Sequence, residues 1–557
     1  MNLHHKKLPS TGRGLAYTLA FCVALAAAAP SRAVAQQIAS HPAPGATAAQ
    51  FGCTLPPDSS KTSDKAQTHI TPEQARQLFA LVDVLMKFSS GESGLPIKST
   101  VKRQLITRDA VVKYLEEKFN EDQGTKRLER DEIVLKKFGL IDHDFELKPF
   151  LLALLKEQIE AYYDSKTKTV NLLDWVGPDD EQPVLAHELT HALQDQHSDL
   201  EKWDNQTPDD VSTDAAGDKV HLARDEMDTA RDAVAEGQAT AVMWDCVLKP
   251  MGRSLIKDPA VIELLESQMS KEQDSPVMAR APLLISESML FPYREGLSFE
   301  QDVWMDQGQT AAFAGALDRP PTSSWEILNP RAYENKLIPA IPIMPDIHPL
   351  VDAAYKPYDI GQVGQLDVRI LTELLGGDNA SRDLTPAWNG GLYWAGQLRS
   401  ATTPAQQADT ASISLLYLSV WKNAISADFF AKIYANNLGR KYTRVSEISS
   451  GTSAIGGGSM ERLFTTNEGP VLIVTRGKMA FVAESFPLSI ARKLATLLLD
   501  AQGVGPTRMA QAPSTPAAPV VPSGPQGSTL TAGLVQFFAE AGVTKAVIDA
   551  ERRAIEK

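Results

Sequence analysis

The run that most constrains this chain is Pro183-Val184-Leu185-Ala186-His187-Glu188-Leu189-Thr190-His191-Ala192-Leu193-Gln194-Asp195-Gln196-His197. At about 100° per residue, histidines four apart lie about 40° from each other and one turn along a helix. His187 and His191 can therefore reach one divalent cation together, while Glu188, about 100° round from His187, leans over the open side. Leu185, Leu189, Ala192 and Leu193 cluster on the roughly opposite face, so the helix can bury one side and offer the other. A metal-free, hydrogen-bonded histidine pair would satisfy the same spacing. The amphipathic setting favours the metal.

A zinc site built for chemistry takes three protein ligands and leaves a fourth position open to water. Two residues compete for the third place. His197 follows the pair as in the metzincin pattern HExxHxxGxxH, but that pattern needs glycine at the eighth position to turn the chain back. Gln194, a good helix former, stands there instead; in a continuing helix His197 lies about 15 Å along the axis and about 80° round it. Glu236, in Asp232-Ala233-Val234-Ala235-Glu236-Gly237-Gln238-Ala239-Thr240, is the better candidate. It sits in a helical run among small apolar residues, where a carboxylate is costly to bury unless paired or metal-bound. A solvated helix residue is the plainer reading. Gly237, right after it, costs a helix roughly 1 kcal/mol relative to alanine, which makes sense if another element approaches closely there.

The metal helix, with Ala161-Tyr162-Tyr163-Asp164 before it and Glu236-Gly237-Gln238-Ala239-Thr240 after it, resembles the gluzincin-type HExxH zinc metallopeptidases. It is most similar to a branch of exported bacterial proteins with HELTHALQDQH and a downstream EGxAT helix, over residues 100–490. The resemblance implies one zinc ion per chain held by His187, His191 and Glu236, with Glu188 as general base for peptide-bond hydrolysis by a zinc-bound water. Gluzincins commonly carry an aspartate four residues after the third ligand, which orients one metal histidine; Thr240 stands there, so that carboxylate comes from elsewhere or is absent. Residues 161–173 read as a small hairpin turning at 164–168. In gluzincins a strand at that place forms the edge beside which an extended peptide lies; the residues alone equally allow a purely structural hairpin. Metallopeptidases also recruit a side-chain donor for the oxyanion, for which Tyr293 and Tyr333 are candidates beside ordinary packing roles.

In chain order, residues 1–35 read as a secretory signal: a basic start, an apolar stretch from Gly14 to Ala29, and small residues at Ala33-Val34-Ala35. The stretch is too short for a spanning helix, so the expectation is export to the periplasm or medium with no membrane anchor after cleavage. The mature chain keeps Cys53 and Cys246, which either pair in an oxidising compartment or remain buried thiols. Residues 36–68 are a flexible lead-in rich in Ala, Pro, Ser, Thr and Gln.

Residues 69–337 are expected to form a zincin-like metallopeptidase domain. It opens on a helix capped by Thr71 before Pro72, continues through helices near 108–118, 129–138 and 147–159, and holds one long helix at 217–247. His221 on that helix lies about 22 Å from Glu236, too far to be a ligand. Residues 282–330 read as loop-rich with short helices, and 338–362 as a proline-punctuated crossing. An accessory α+β domain spans 338–505, with helices at 368–375, 427–437 and 490–501 and strands at 412–421, 471–475 and 479–483. A Pro/Ala/Ser-rich linker follows at 506–529. The last segment, 530–557, is a helix whose apolar face (Leu534, Phe537, Phe538, Val543, Val547) needs a partner in this chain or another.

The expected class is thus α+β and predominantly helical, a zincin-like core with a small edge hairpin plus the C-terminal α+β domain. A net charge of −14 speaks against nucleic acid as a partner. Two functions fit: an exported zinc metallopeptidase acting on peptide or protein substrates, or an envelope or binding protein that keeps the scaffold with weak or lost catalysis.

Overall fold

A computed structural model describes residues 53, 69–113, 122–158, 161–176, 178–204, 206, 211, 213–255, 261–262, 276–503, 530–531, 534–535 and 538. The signal at 1–35, nearly all of 36–68, the linker at 506–529 and most of the terminal helix lie outside the described residues.

Helix α1 (Pro72–Ser93) starts where its cap directs. The Thr71 side chain accepts from the Gln74 N–H, the Gln74 side chain accepts from the Thr71 N–H, and Pro72 fills the first turn. Strand β1 (Lys102–Ile106), which the sequence reading passed over, precedes helices α2 (Asp122–Phe138) and α3 (Leu147–Gln158). The expected hairpin then forms from β2 (Tyr162–Asp164) and β3 (Thr169–Leu173). β1 pairs in parallel with β3, so the order β1-β3-β2 leaves β2 on an edge.

Helix α4 (Pro178–Ser198) carries the His-Glu-x-x-His run, with Leu185, Leu189, Ala192 and Leu193 wholly buried. It packs against α1, whose Ser89 hydroxyl donates to the Ala186 carbonyl. The expected long helix at 217–247 is two helices, α5 (Ala215–Arg224) and α6 (Met227–Leu248). The break falls at Asp225 and Glu226, two buried acids held by the Gln362 N–H and the Ser324 hydroxyl respectively. Tertiary partners 98 and 137 residues away in sequence thus interrupt a locally helical pattern.

Helix α6 is interior: every residue from Asp232 to Leu248 is buried. Against it lies α7 (Leu283–Gln307), a 25-residue helix with Pro292 inside, in a segment expected to be loop-rich. Proline costs a helix interior about 3 kcal/mol. Burying Leu284, Ile285, Met289, Phe291, Leu297, Phe299 and Val303 at roughly 1.5–3 kcal/mol each outweighs it.

Past residue 338 the expected crossing contains β4 (Tyr355–Gln362), followed by α8 (Gln365–Leu384), β5 (Trp388–Leu398), β6 (Ile413–Trp421), α9 (Ala424–Asn436), β7 (Val445–Thr452), β8 (Met460–Thr466), β9 (Gly469–Arg476), β10 (Met479–Glu484) and α10 (Leu488–Ala501). The strands form an antiparallel sheet in the order β4-β5-β6-β10-β9-β8-β7. Alternation sorts its two faces. Leu392, Trp394, Leu416 and Leu418 join α10 in one apolar cluster, while Tyr393, Ala395, Leu415 and Tyr417 join a second cluster shared with the helical half. Phe138 of α2 meets the rings of Tyr393 and Tyr417 edge-on, docking the helices on that face.

Leu530, Leu534, Val535 and Phe538 are buried in the same cluster, so these described residues of the terminal segment pack on their own chain. Cys53 and Cys246 form a disulfide, tying the N-terminal segment to the end of α6. The fold is mixed α+β, as expected at that level. Among the described residues no helix is long and apolar enough to cross a membrane.

Candidate metal centre

Helices α4 and α6 cross with their functional residues facing each other. The ligand atoms of His187, His191 and Glu236 all lie within 4.8 Å of one another, a group able to hold a metal ion. His187 Nε2 is 3.0 Å from Glu236 Oε2 and 3.0 Å from His191 Nε2; His191 Nε2 is 3.4 Å from the same carboxylate oxygen. Glu236 is therefore directed at the pair from a helix 49 residues away in sequence from His187.

Gly237 makes this approach possible. A Cβ there would sit 2.3 Å from the backbone carbon and oxygen of Gly296 on α7, and a Cβ on Gly296 would sit 2.1 Å from the Ala233 carbonyl oxygen. The two helices touch backbone to backbone, which is the close approach its helix-breaking residue implied.

The electrostatics follow from burial. Burial pushes His187 below the ordinary imidazole range. Burial disfavours the charged form of His191 too, but the Glu236 carboxylate outweighs it and raises that pKa to about 9. Burial alone would raise Glu236; the histidines, His191 foremost, bring it down to about 2, so the carboxylate is held ionised. Glu188 stands beside the triad with its pKa raised by burial to about 8. One of its oxygens accepts the Tyr163 N–H at 2.7 Å, from the edge strand β2, and the other is buried without a hydrogen-bond partner. Metal ligation needs neutral imidazoles and an ionised carboxylate, so binding a cation here would displace the proton that His191 holds.

His191 is oriented by an amide rather than a carboxylate. Its Nδ1 lies 2.9 Å from Gln194 Oε1, and the Gln194 amide donates to the Ala235 carbonyl and to Gln238 Oε1 at 2.9 and 3.0 Å. Gln238 in turn donates to the carbonyls of Ala312 and Phe313. Thr240, where an aspartate was looked for, is buried with its hydroxyl unpartnered, and His187 Nδ1 has no hydrogen-bond partner either.

The structure thus brings together His187, Glu188, His191 and Glu236, and places Tyr293 beside them. The Tyr293 ring stacks 6.1 Å from that of His187, and its hydroxyl is buried near the Glu236 carboxylate. Burial, then the charges of Glu236 and Glu188, hold its pKa well above the usual phenol range. Tyr333 is engaged elsewhere: its hydroxyl donates to the Arg319 carbonyl at 2.9 Å and the Arg319 guanidinium lies over its ring. His197 pairs with Asp318 at 3.0 Å, and His221 with Asp225 at 3.3 Å. Sequence reasoning missed Gln194, Gln238 and the Tyr163 amide. Gln194 had one legible signal, its place one turn after His191 on the same face.

Fold and site together define a mixed α+β protein with a buried His-His-Glu centre able to hold a metal ion. No protein-family model, no curated protein and no solved structure matches this chain.

Proposed function

We propose that this protein is an exported zinc-dependent peptidase built on a zincin-like core. The observation that carries the reading is the triangle of ligand atoms, 3.0, 3.0 and 3.4 Å on its sides, with Glu188 beside it. Zinc bonds of about 2.0–2.1 Å at tetrahedral angles set neighbouring ligand atoms about 3.3 Å apart, so the three side chains fit the ion and leave a fourth direction open. Bound there, zinc supplies Lewis acidity that brings the pKa of a coordinated water toward neutrality and polarises a carbonyl.

The chain's own residues do the rest. The Tyr163 amide holds one Glu188 oxygen, leaving the other to accept the proton of the attacking water and return it to the leaving amine. Burial raises the Glu188 pKa above the ordinary carboxylate range, which helps the group hold a proton once it has taken one. An extended peptide along the free edge of β2 would bring its scissile bond past Glu188. Tyr293, whose ring stacks on that of His187, would donate to the oxygen on which negative charge develops. Export is supported by the signal-like N-terminus and by the Cys53–Cys246 disulfide, a bond that persists in oxidising compartments.

The test pairs metal analysis with cleavage of casein or a peptide library, with and without chelator. Glu188→Gln should keep zinc and lose hydrolysis, whereas His187→Ala should lose zinc. Retained peptidase activity in folded Glu188→Gln protein would overturn the mechanism. The unpartnered His187 Nδ1 and the threonine at 240 favour a second reading, a metal-holding binding protein with little catalysis. Zinc without cleavage of any substrate would select it.

A further inference from the structure

We propose that a pocket at the far end of the metal helix binds a carboxylate of the peptide, about three residues from the bond that is cut. This proposal rests on the peptidase reading. The pocket encloses about 240 Å³, room for one side chain or a chain terminus, and is lined by Lys98, Thr100, Tyr163, Lys168, Asp195 and Gln196 among others. Tyr163 belongs to both places. Its amide holds Glu188, and its hydroxyl donates to Asp195 in the pocket wall at 2.8 Å.

Position follows from helix geometry. Asp195 lies seven residues after Glu188, which returns it to nearly the same face of α4, about 10 Å further on. In this proposal the peptide runs from Glu188 toward Asp195, the direction in which the Tyr163 side chain spans the two; at about 3.3 Å per residue it then reaches the pocket about three residues later.

The charges select the ligand. Asp195 is already saturated: it accepts from Tyr163, from Lys168 Nζ at 2.7 Å and from the Leu200 N–H at 3.1 Å. Lys168 is neutralised by that contact. Lys98 is held differently. Its ammonium donates to the Gln196 carbonyl at 2.8 Å, while its own N–H and that of Ser99 donate to Gln196 Oε1 at 2.7 and 2.9 Å. It has no carboxylate partner among the described residues, so among them the pocket lining carries one more positive than negative charge, in a protein of net charge −14. Thr100 lines the same pocket, and a lining with this charge calls for an anionic acceptor. In a peptide that is an acidic side chain or the terminal carboxylate.

The test uses full-length, zinc-loaded Glu188→Gln protein, so that binding is read without turnover. Fluorescent peptides carry glutamate at each position within four residues of a cleaved bond, and each is matched to a glutamine peptide; C-termini are amidated. A second set ends in a free carboxylate at those positions, matched to the amide. Anisotropy at low salt should show one position where a carboxylate binds about fivefold tighter, the scale of a partly exposed ion pair. Whichever set shows it identifies the source. Lys98→Met should abolish the preference and Lys98→Arg keep it, with unchanged melting temperatures.

A preference that survives Lys98→Met, or none at any position, overturns the proposal. Cleavage assays on the otherwise unaltered protein run in parallel. Cleavage with no carboxylate preference sinks the pocket alone; Lys98-dependent binding with no cleavage keeps the carboxylate site but sinks the peptidase reading and, with it, the placing relative to a cut bond. Neither binding nor cleavage sinks both.

Discussion

One methyl group, placed twice, tests whether the site depends on the contact between α6 and α7. In Gly237→Ala the new Cβ would lie 2.3 Å from the carbon and oxygen of Gly296, and both obstacles are backbone. Ordinary contact needs about 3.4 Å, so the helices must part by about 1 Å. Alanine returns about 0.5–1 kcal/mol of helix propensity. Overpacking a closed interface costs about 1–3 kcal/mol, so the net effect is a loss of up to about 2.5 kcal/mol. The displaced helix carries Glu236, whose oxygen is 3.0 Å from His187 Nε2. A shift of that size stretches the triangle beyond tetrahedral reach and should weaken zinc binding by about 10–100-fold, the scale on which groups that orient ligands act.

Gly91→Ala is the control. Gly91 also lies in a helix, α1, yet a Cβ there meets nothing within 4 Å, so the same substitution should stabilise by about 0.5–1 kcal/mol and leave zinc binding alone. The assays are thermal melting and competition with a chelator of known affinity. If Gly237→Ala melts at or above the parent temperature and holds zinc as tightly, the claim that backbone contact positions Glu236 is wrong.

Other perturbations probe separate parts of the structure. Gln194→Leu removes the acceptor of His191 Nδ1 and should cut zinc affinity about 10–100-fold in a folded protein, read by the same competition. Stability should also depend on pH through two buried acids near the start of α6. Burial, then the Asp367 charge, raises Glu226 to about 8, and burial raises Asp367 to about 7. Both exceed unfolded values of about 4, so the folded chain binds more protons between those limits, and stability falls as pH rises from about 4 to about 8 before levelling off. Glu226→Gln and Asp367→Asn should therefore melt above the parent protein at pH 8 and level with it at pH 4; a parent stability that rises across this window counts against the assignment. Cys53→Ser should lose about 2–5 kcal/mol in non-reducing buffer, and reductant should bring the parent protein to the same melting temperature.

Much of the site was legible locally because helix pitch is a property of the chain itself. Four-residue spacing puts His187 and His191 on one face wherever that helix forms, and Leu185, Leu189, Ala192 and Leu193 choose which side is buried. The hairpin at 162–173 and the strands at 413–421 and 479–484 were legible for the same reason, a two-residue alternation or an apolar run beside turn residues. Glycine at 237 announced a close neighbour without naming it.

The rest depended on groups distant in sequence. β5 contains Gly390, Gly391 and Gly396 and β7 is mostly exposed, so neither has a strong strand pattern; pairing within the sheet decides both. The segment at 282–330 read as loop-rich, yet burial against α6 makes one helix of Leu283–Gln307, through Pro292. The break at Asp225 and Glu226 required Gln362 and Ser324 to reach them. The sequence by itself determined which side chains share a helix face, because that needs only the rise and twist of one element. Only the tertiary structure decided that Glu236 meets the histidines, that Gln194 rather than a carboxylate orients His191, and that the Tyr163 amide holds Glu188. Each is a short-range contact between elements, and it exists only once packing has brought those elements together.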